Sequence, residues 1–289
     1  MAVRGSLRLR ACGSRVHFLW HPPADKARAA VVFMGGTAQT INNVIGHHGP
    51  LARGRGGLLH YEMRGQGTTT TLSHKDCTLA RQVEDFRAVL DAAEEEGLIG
   101  SSTQIDLVGF SFGARVALAC VAERHERIRR LVITGAPADR GAAGRIMLRS
   151  WLTSLNRGDL EGFLWQTISD GHSERFLSRH EHRLAGWVRS AAEQNDVKAI
   201  LGLVRDSHVE DEGSIWHTVS LAKRAACVLR PEDGLFITGG EDRLATPVQV
   251  AKLAAIGDWS YEEIAGVGHP VLIEQPKKWR KLVIGHLDK

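Results

Sequence analysis

The amino-acid sequence predicts an α/β protein whose mostly parallel central sheet is flanked by helices and interrupted by a helical insertion. Three short apolar runs, at residues 29–34, 105–108 and 128–134, are typical of strands that are buried on both faces. Apolar residues at helical spacing between residues 79 and 93 indicate a helix that joins two such strands. This alternation favours a parallel sheet, because parallel strands need a crossover connection.

The pattern changes after Pro137. Apolar positions recur at helical spacing through residues 138–230, and a strand pattern returns only at residues 234–238. We therefore expect residues 1–137 and 231–289 to form one core and residues 138–230 to form a helical insertion in it. No repeat or low-complexity linker separates the two parts.

Composition excludes several classes of protein. The 289 residues carry 37 Lys and Arg against 33 Asp and Glu, interspersed along the chain, which is typical of a solvated surface rather than a nucleic-acid interface. No apolar run approaches the ~20 residues needed to cross a bilayer. The four cysteines (Cys12, Cys77, Cys120 and Cys227) are far apart, so a disulfide or zinc framework has little support and a reducing, cytoplasmic location is expected.

The N-terminal segment is basic and has two interpretations. Arginines precede the first acidic residue, Asp25, as in an organelle transit peptide. However, Leu7, Leu9 and Ala11 alternate with arginines, and the apolar run 16–20 follows a Gly-Ser turn. This alternation favours a β-hairpin.

The central motif is a serine between a predicted strand and a predicted helix. Residues 109–113, Gly-Phe-Ser-Phe-Gly, match G-x-S-x-G, a turn that exposes the hydroxyl of Ser111 above a parallel sheet. Glycines lie two residues before and two residues after the serine because the backbone is strained and closely packed there. The pentapeptide alone is a weak signal, but its position between strand and helix strengthens it. With this motif and two later stretches, the chain resembles the α/β-hydrolase superfamily over nearly its whole length.

That resemblance implies two catalytic partners for Ser111. Residues 239–247 resemble the superfamily's Gly-x-x-Asp-x-x-x-Pro turn and assign Asp242 as the acid, with Glu241 as a near rival. His269 precedes Glu274 and Pro276 in a His-x-x-x-x-Glu-x-Pro pattern similar to the family's terminal histidine signature. The order Ser111, Asp242, His269 is the one expected for this fold.

The resemblance also implies an oxyanion hole. The loop after the strand at residues 29–34 aligns Gly36 with the family's conserved glycine and Thr37 with its backbone N–H donor, although Gly35 replaces the usual histidine. The N–H of Phe112 supplies the second donor. Glu62 and Thr68 match a turn that we expect to be structural.

In this superfamily, an insertion at residues 138–230 forms a helical cap over the active site. Its tryptophans (Trp151, Trp165, Trp187 and Trp216) are each more often core than pocket residues, and we take Trp151 as the candidate for substrate contact. Gly36 and Arg115 complete the candidate substrate-binding residues. Arg115 lies one helical turn beyond Ser111, where its side chain can approach an anionic substrate or bind a group in the core.

These residues predict a serine hydrolase that cleaves a small or medium carboxylic ester or thioester. Two alternatives remain open. One is a cofactor-free lyase, because residues 111–115 resemble Ser-x-Gly-Gly-Arg of the pyruvate-eliminating synthase of menaquinone biosynthesis. The other is a non-catalytic protein that binds a hydrophobic ligand. We expect a small-molecule substrate, a monomer or homodimer, and neither metal nor organic cofactor; His47, His48 and His60 are interpreted as loop or strand residues.

Overall fold

The architecture was analysed in a computed structural model, which describes residues 2–9, 13–69, 77–206, 208 and 211–289. In this part of the chain, eight strands form one sheet in the order β1-β2-β4-β3-β5-β6-β7-β8. The strands are Val3–Arg8 (β1), Arg15–His21 (β2), Ala30–Met34 (β3), Leu58–Tyr61 (β4), Ile105–Phe110 (β5), Ile128–Thr134 (β6), Gly234–Gly239 (β7) and Ser260–Ile264 (β8).

The sheet is antiparallel at one edge and parallel elsewhere. β1 pairs with β2 and β2 with β4 in antiparallel register. All pairs from β4 through β3 and β5 to β8 are parallel. The mostly parallel sheet is therefore confirmed. The N-terminal strands pair as the hairpin interpretation requires, although Arg10 and Ala11 of that prediction lie outside the described residues.

Helices cover both faces of the sheet. They are Ile41–His48 (α1), Leu79–Glu95 (α2), Phe112–Ala122 (α3), Gly141–Asn156 (α4), Leu160–Gly171 (α5), Glu174–Glu193 (α6), Val197–Asp206 (α7), Thr218–Ala225 (α8), Pro247–Ala254 (α9), Val271–Glu274 (α10) and Pro276–Leu287 (α11), with short 3-10 helices at Gly49–Ala52, Pro231–Asp233 and Ala255–Gly257. One core cluster contains side chains of α2, α3, α8 and α9, and a second contains side chains of α1, α10 and α11.

Alternate residues of the central strands face the two clusters. In β3, Val32 and Met34 belong to the first cluster, whereas Val31 and Phe33 belong to the second. This alternation follows from the two-residue period of a strand. It explains why these strands read as continuous apolar runs in the sequence.

The helices α4 to α7 have a core of their own. A third cluster joins apolar side chains of these helices to Ala38, which follows β3, and Leu244, which follows β7. By contrast, α8 contributes Leu221 and Ala222 to the first sheet cluster. Ile146 and Trp187 are among the apolar residues of 138–230, yet both are exposed. Periodicity finds the helices but does not tell which apolar residue meets a partner.

The turn after β4 is held by buried charged groups. The Glu62 carboxylate accepts hydrogen bonds from the backbone N–H groups of Ile41 and Thr68, at 3.1 and 2.7 Å. Arg64 forms a two-pronged ion pair with Asp85 of α2, at 2.6 and 2.7 Å. The structural role expected of Glu62 and Thr68 is therefore consistent with these contacts. Thr78 caps α2 by accepting the N–H of Arg81 at 3.2 Å.

Two neighbouring histidines are buried between α1, β3 and β4. The rings of His48 and His60 meet edge-on at 4.5 Å, and His48 also stacks on Phe33 at 4.2 Å. Burial lowers the pKa of His48 to about 3 and that of His60 well below its ordinary value. Both rings are therefore neutral in the folded protein. Within the described residues, no group of His, Cys, Asp and Glu has the arrangement of a metal site, and no helix is long and apolar enough to cross a membrane.

Neutral His48 should make the fold sensitive to acid. In the unfolded chain this histidine has a pKa near 6.5 and binds a proton as the pH falls below that value. In the folded chain the ring stays unprotonated, so acid favours the unfolded state. This difference costs about 2 kcal/mol per histidine between pH 7 and pH 5. We predict that the free energy of unfolding of His48→Phe, measured with urea, falls by about 2 kcal/mol less than that of wild type between pH 7 and pH 5. His182→Phe, at an exposed position of α6, is the control and should follow wild type.

Candidate active site

Ser111 lies in the turn between β5 and α3 with a left-handed backbone. Its φ is +53° and its ψ is −114°, a conformation that non-glycine residues rarely adopt. Gly113 fits beneath this turn because an added Cβ would stand 2.3 Å from the Met34 carbonyl oxygen. Likewise, a Cβ on Gly109 would stand 2.5 Å from the Cα of Ala114. The two glycines of the motif therefore permit the close packing that holds the serine in its strained conformation.

Ser111, His269 and Asp242 are joined by two hydrogen bonds. The Oγ of Ser111 lies 2.8 Å from Nε2 of His269. The other ring nitrogen, Nδ1, lies 2.8 Å from Oδ2 of Asp242. Asp242 and His269 are buried, whereas Glu241, the rival acid, is exposed. The structure thus brings together the three residues that the sequence singled out.

The backbone after β7 fixes the Asp242 carboxylate. Its Oδ1 accepts the N–H groups of Leu244 and Ala245, at 2.9 and 2.8 Å. These two donors occupy Oδ1 and leave Oδ2 directed at His269. They also supply hydrogen-bond donors to an oxygen of a buried side chain.

The loop that carries His269 is anchored to the connection between α5 and α6. The backbone N–H of His269 donates to the carbonyl of Gly171 at 2.6 Å. Glu274 accepts the backbone N–H of Ser173 at 2.9 Å and its hydroxyl at 2.5 Å. Glu274 also accepts the N–H of Gly268 at 3.3 Å. The glutamate of the terminal histidine signature therefore joins the histidine loop to the helical region.

A small cavity of about 50 Å³, here called the inner cavity, opens beside Ser111 and His269. It is lined by Thr37, Ser111, Phe112, Arg115, Gly135, Pro137, Arg140, Leu148, Trp151, Val204, His208, Leu244 and His269. Of the predicted site residues, Thr37, Phe112, Arg115 and Trp151 are thus at the cavity. Gly36 is not among its lining residues. Its N–H donates to Oε1 of Gln39 at 2.8 Å, and an added Cβ would meet the Phe110 ring at 2.9 Å.

Thr37 and Phe112 line the inner cavity together with Ser111. Phe112 is the first residue of α3, where the N–H groups lack intrahelical acceptors and the helix dipole favours negative charge. Within the described residues, no hydrogen bond engages the N–H of Thr37 or Phe112. Both N–H groups therefore lack an acceptor in the part of the chain that the structure describes.

Sequence reasoning missed two polar residues of the cavity, Arg140 and His208. Nε of Arg140 donates to Nδ1 of His208 at 3.2 Å. Burial and the charges of Arg140 and Arg115 lower the pKa of His208 to about 3, so its ring is neutral. Arg140 follows shortly after the carboxyl end of β6, the edge at which ligands bind in parallel sheets, and this placement was the available signal. His208 gave none, since its position depends on how α7 packs.

Comparison with known proteins places this geometry in a family. A sequence profile described as the alpha/beta hydrolase family matches residues 18–281, which is most of the chain. The chain belongs to the alpha/beta hydrolase family. The resemblance inferred from the motifs, and the prediction of a hydrolase-type enzyme, are confirmed at this level. A search of curated protein sequences finds no significant match.

Solved structures of this family have the same fold. An alpha/beta hydrolase enzyme, MGS-M2, from a Medee basin deep-sea metagenome library superimposes with a TM-score of 0.79 at 21% identity, covering 96% of this chain and 95% of that one. The enol-lactonase of Burkholderia xenovorans LB400 superimposes with a TM-score of 0.80 at 16% identity, covering 99% of this chain and 100% of that one. A malate-bound thermophilic esterase from Thermogutta terrifontis gives 0.76 at 17%, with 99% and 98% covered. At these identities the likeness shows a shared fold.

Gly135 supplies a test of the hydrolase site geometry. This residue has φ +68°, and an added Cβ would stand 2.8 Å from Cε1 of His269. Gly97 has φ +69° with nothing near its Cβ position, so it isolates the backbone penalty. We predict that Gly97→Ala costs about 1 kcal/mol of unfolding free energy. Gly135→Ala should cost about 1–3 kcal/mol more, because it also displaces the imidazole. Equal losses in chemical denaturation would show that His269 is not packed against Gly135.

Proposed function

We propose that this protein is a serine hydrolase that cleaves a small or medium carboxylic ester or thioester through an acyl-enzyme. The observation that carries the proposal is the hydrogen-bonded series Ser111, His269 and Asp242, with both distances at 2.8 Å. A serine hydroxyl is a weak nucleophile at neutral pH and needs a base within this range. Here the base is itself oriented by a buried carboxylate, which is the arrangement of a catalytic triad.

In this mechanism, the acylation step forms one bond and breaks another. The Oγ of Ser111 attacks the substrate carbonyl carbon while Nε2 of His269 takes the hydroxyl proton. The tetrahedral intermediate then expels the alcohol or thiol, which receives that proton from His269. Asp242 keeps the proton on Nδ1 and stabilises the imidazolium that exists between the two transfers. Water then repeats the sequence on the acyl-enzyme and releases the acid and free Ser111.

The backbone N–H groups of Thr37 and Phe112 are the proposed oxyanion hole. Both residues line the inner cavity, and Phe112 begins a helix whose dipole favours an anion there. Donors fixed in a closed site stabilise the transition state without reorganising. Loss of one such donor typically reduces turnover by ~10²–10³-fold.

We further propose that residues 138–230 include the cap that selects the substrate. Leu148 and Trp151 of α4 and Val204 of α7 line the inner cavity, so this helical region forms the wall opposite Ser111. The cavity of about 50 Å³ favours a small acyl group. The proposed substrate is thus a small molecule. We propose that the enzyme acts as a monomer or homodimer. We also propose a reducing, cytoplasmic setting, because the four cysteines are far apart in the sequence.

A cofactor-free lyase is the second candidate. The observation that favours it is the buried guanidinium of Arg115 at the inner cavity. A cation at this place can bind the anionic leaving group of an elimination. A lyase would release two products without consuming water. Mass spectrometry of products formed in ¹⁸O water separates the two reactions, because only hydrolysis places the label in the acid product.

The hydrolase proposal predicts turnover of short esters that depends on Ser111. Purified protein should hydrolyse members of a panel of 4-nitrophenyl and thioester substrates with acyl chains of increasing length. Ser111→Ala should lower kcat/KM by on the order of 10³-fold or more, because no other group in the site replaces the nucleophile. Ser150→Ala, at an exposed position of α4, is the matched control and should retain wild-type rates. Turnover that survives in Ser111→Ala would contradict the proposal.

A further inference from the structure

Arg115 is a buried cation that has no hydrogen-bond or ion-pair partner among the described residues. Its side chain lies within α3, and the residue is only 5% exposed. Its Nε is buried and donates no hydrogen bond. Within the described residues, no acceptor or carboxylate binds the rest of the guanidinium. The alternative that Arg115 binds a group of the core is therefore not supported by any contact.

A guanidinium in this state is costly for the fold. Burial removes its hydration, and no acceptor in the described chain replaces the lost hydrogen bonds. Burial, followed by the nearby charge of Arg140, lowers the pKa of Arg115 to about 9, which still leaves it protonated at neutral pH. Groups held under such strain inside a cleft are typical of ligand sites, where the ligand supplies the missing partner.

The surroundings of Arg115 suit an anion. None of the described residues that line the inner cavity is acidic, and two of them, Arg115 and Arg140, are cationic. Behind them lies an outer cavity of about 80 Å³, lined by Arg115, Pro137, Ala138, Asp139, Arg140, Arg145, His208, Glu212, His217 and Thr218. The acids Asp139 and Glu212 are thus confined to the outer side, and Asp139 faces Arg145 at 3.7 Å. Within the described residues, the unpaired charge of Arg115 therefore lines the same cavity as Ser111.

The distance from Arg115 to Ser111 suits a short substrate. Arg115 follows Ser111 by four residues, which is just over one helical turn, or about 6 Å along the axis. Side chains on a helix tilt toward its N-terminus, so the guanidinium is carried back toward the serine. A group bound at Ser111 and a group bound at Arg115 therefore belong to one small molecule.

Building on the hydrolase function proposed above, we propose that the substrate carries a carboxylate that binds Arg115 while its ester or thioester carbonyl lies at Ser111. The planar guanidinium matches a carboxylate through two parallel hydrogen bonds. Arg140 adds a second positive charge, and neutral His208 adds a polar wall. The substrate class is thus a half-ester or half-thioester of a short dicarboxylic acid.

The experiment compares each half-ester with its uncharged counterpart. The substrates are 4-nitrophenyl hydrogen glutarate and 4-nitrophenyl methyl glutarate, with the adipate pair as a longer version, after subtraction of spontaneous hydrolysis. In wild type, kcat/KM for the carboxylate should exceed that for the methyl ester by at least about tenfold. Arg115→Met should lower this ratio by about tenfold or more, and Arg115→Lys should lower it less. Arg149→Met, with the same change of charge at an exposed position of α4, should keep the wild-type ratio.

Thermal unfolding gives a readout that does not depend on turnover. Free glutarate, against sodium chloride of equal ionic strength, should raise the Tm of wild type and of Arg149→Met but not of Arg115→Met. Without ligand, Arg115→Met should melt at the wild-type temperature or above it, because it removes an unpaired buried charge. A merely structural arginine would instead lower the Tm when removed.

The outcomes separate this inference from the proposed function. If both esters are hydrolysed with a ratio that Arg115→Met does not change, the carboxylate site is wrong and the hydrolase stands. If no ester is turned over, the hydrolase proposal fails, and the Tm shift with glutarate alone decides the anion site. Equal Tm shifts in wild type and Arg115→Met would overturn that site.

Discussion

The strained backbone of Ser111 is the constraint on which the rest of the site depends. A residue at φ +53° is held there only if its surroundings leave no room to relax. They do so through Gly109 and Gly113, where helix α3 approaches strands β5 and β3 more closely than any Cβ permits. The same turn directs the Ser111 hydroxyl into the cavity and places the N-terminus of α3 beside it. The proposed nucleophile and one proposed oxyanion donor are thus set by one local conformation.

Asp242 and His269, the other two members of the proposed triad, are held by backbone groups from distant parts of the chain. Two N–H groups that follow Asp242 orient its carboxylate, and the carbonyl of Gly171 accepts the N–H of His269. Glu274 joins the histidine loop to Ser173 at the start of α6. The imidazole therefore depends both on the sheet and on the helical region. A movement of the connection between α5 and α6 would therefore be transmitted to His269.

The sequence predicted those parts of the structure that depend on local patterns. Apolar runs marked the buried strands, and the glycine spacing around Ser111 marked the turn. The sequence left Glu241 as a rival of Asp242 because both follow the same strand, and only the folded chain buries Asp242 beside His269 and leaves Glu241 exposed. Arg115 was found as a candidate, but its lack of a partner is a property of packing between α3, α4 and α7. Arg140 and His208 were missed because they reach the cavity through those long-range contacts.

The central claim is that His269 activates Ser111, and reaction with a fluorophosphonate tests it most directly. Intact mass is measured for wild type, Ser111→Ala and His269→Ala after equal exposure to the probe, with folding checked by circular dichroism. The account predicts a single adduct on wild type and none on either variant, because the probe reacts with a serine whose proton has a base to receive it. No adduct on folded wild type, or an adduct that persists in His269→Ala at the wild-type rate, would contradict it.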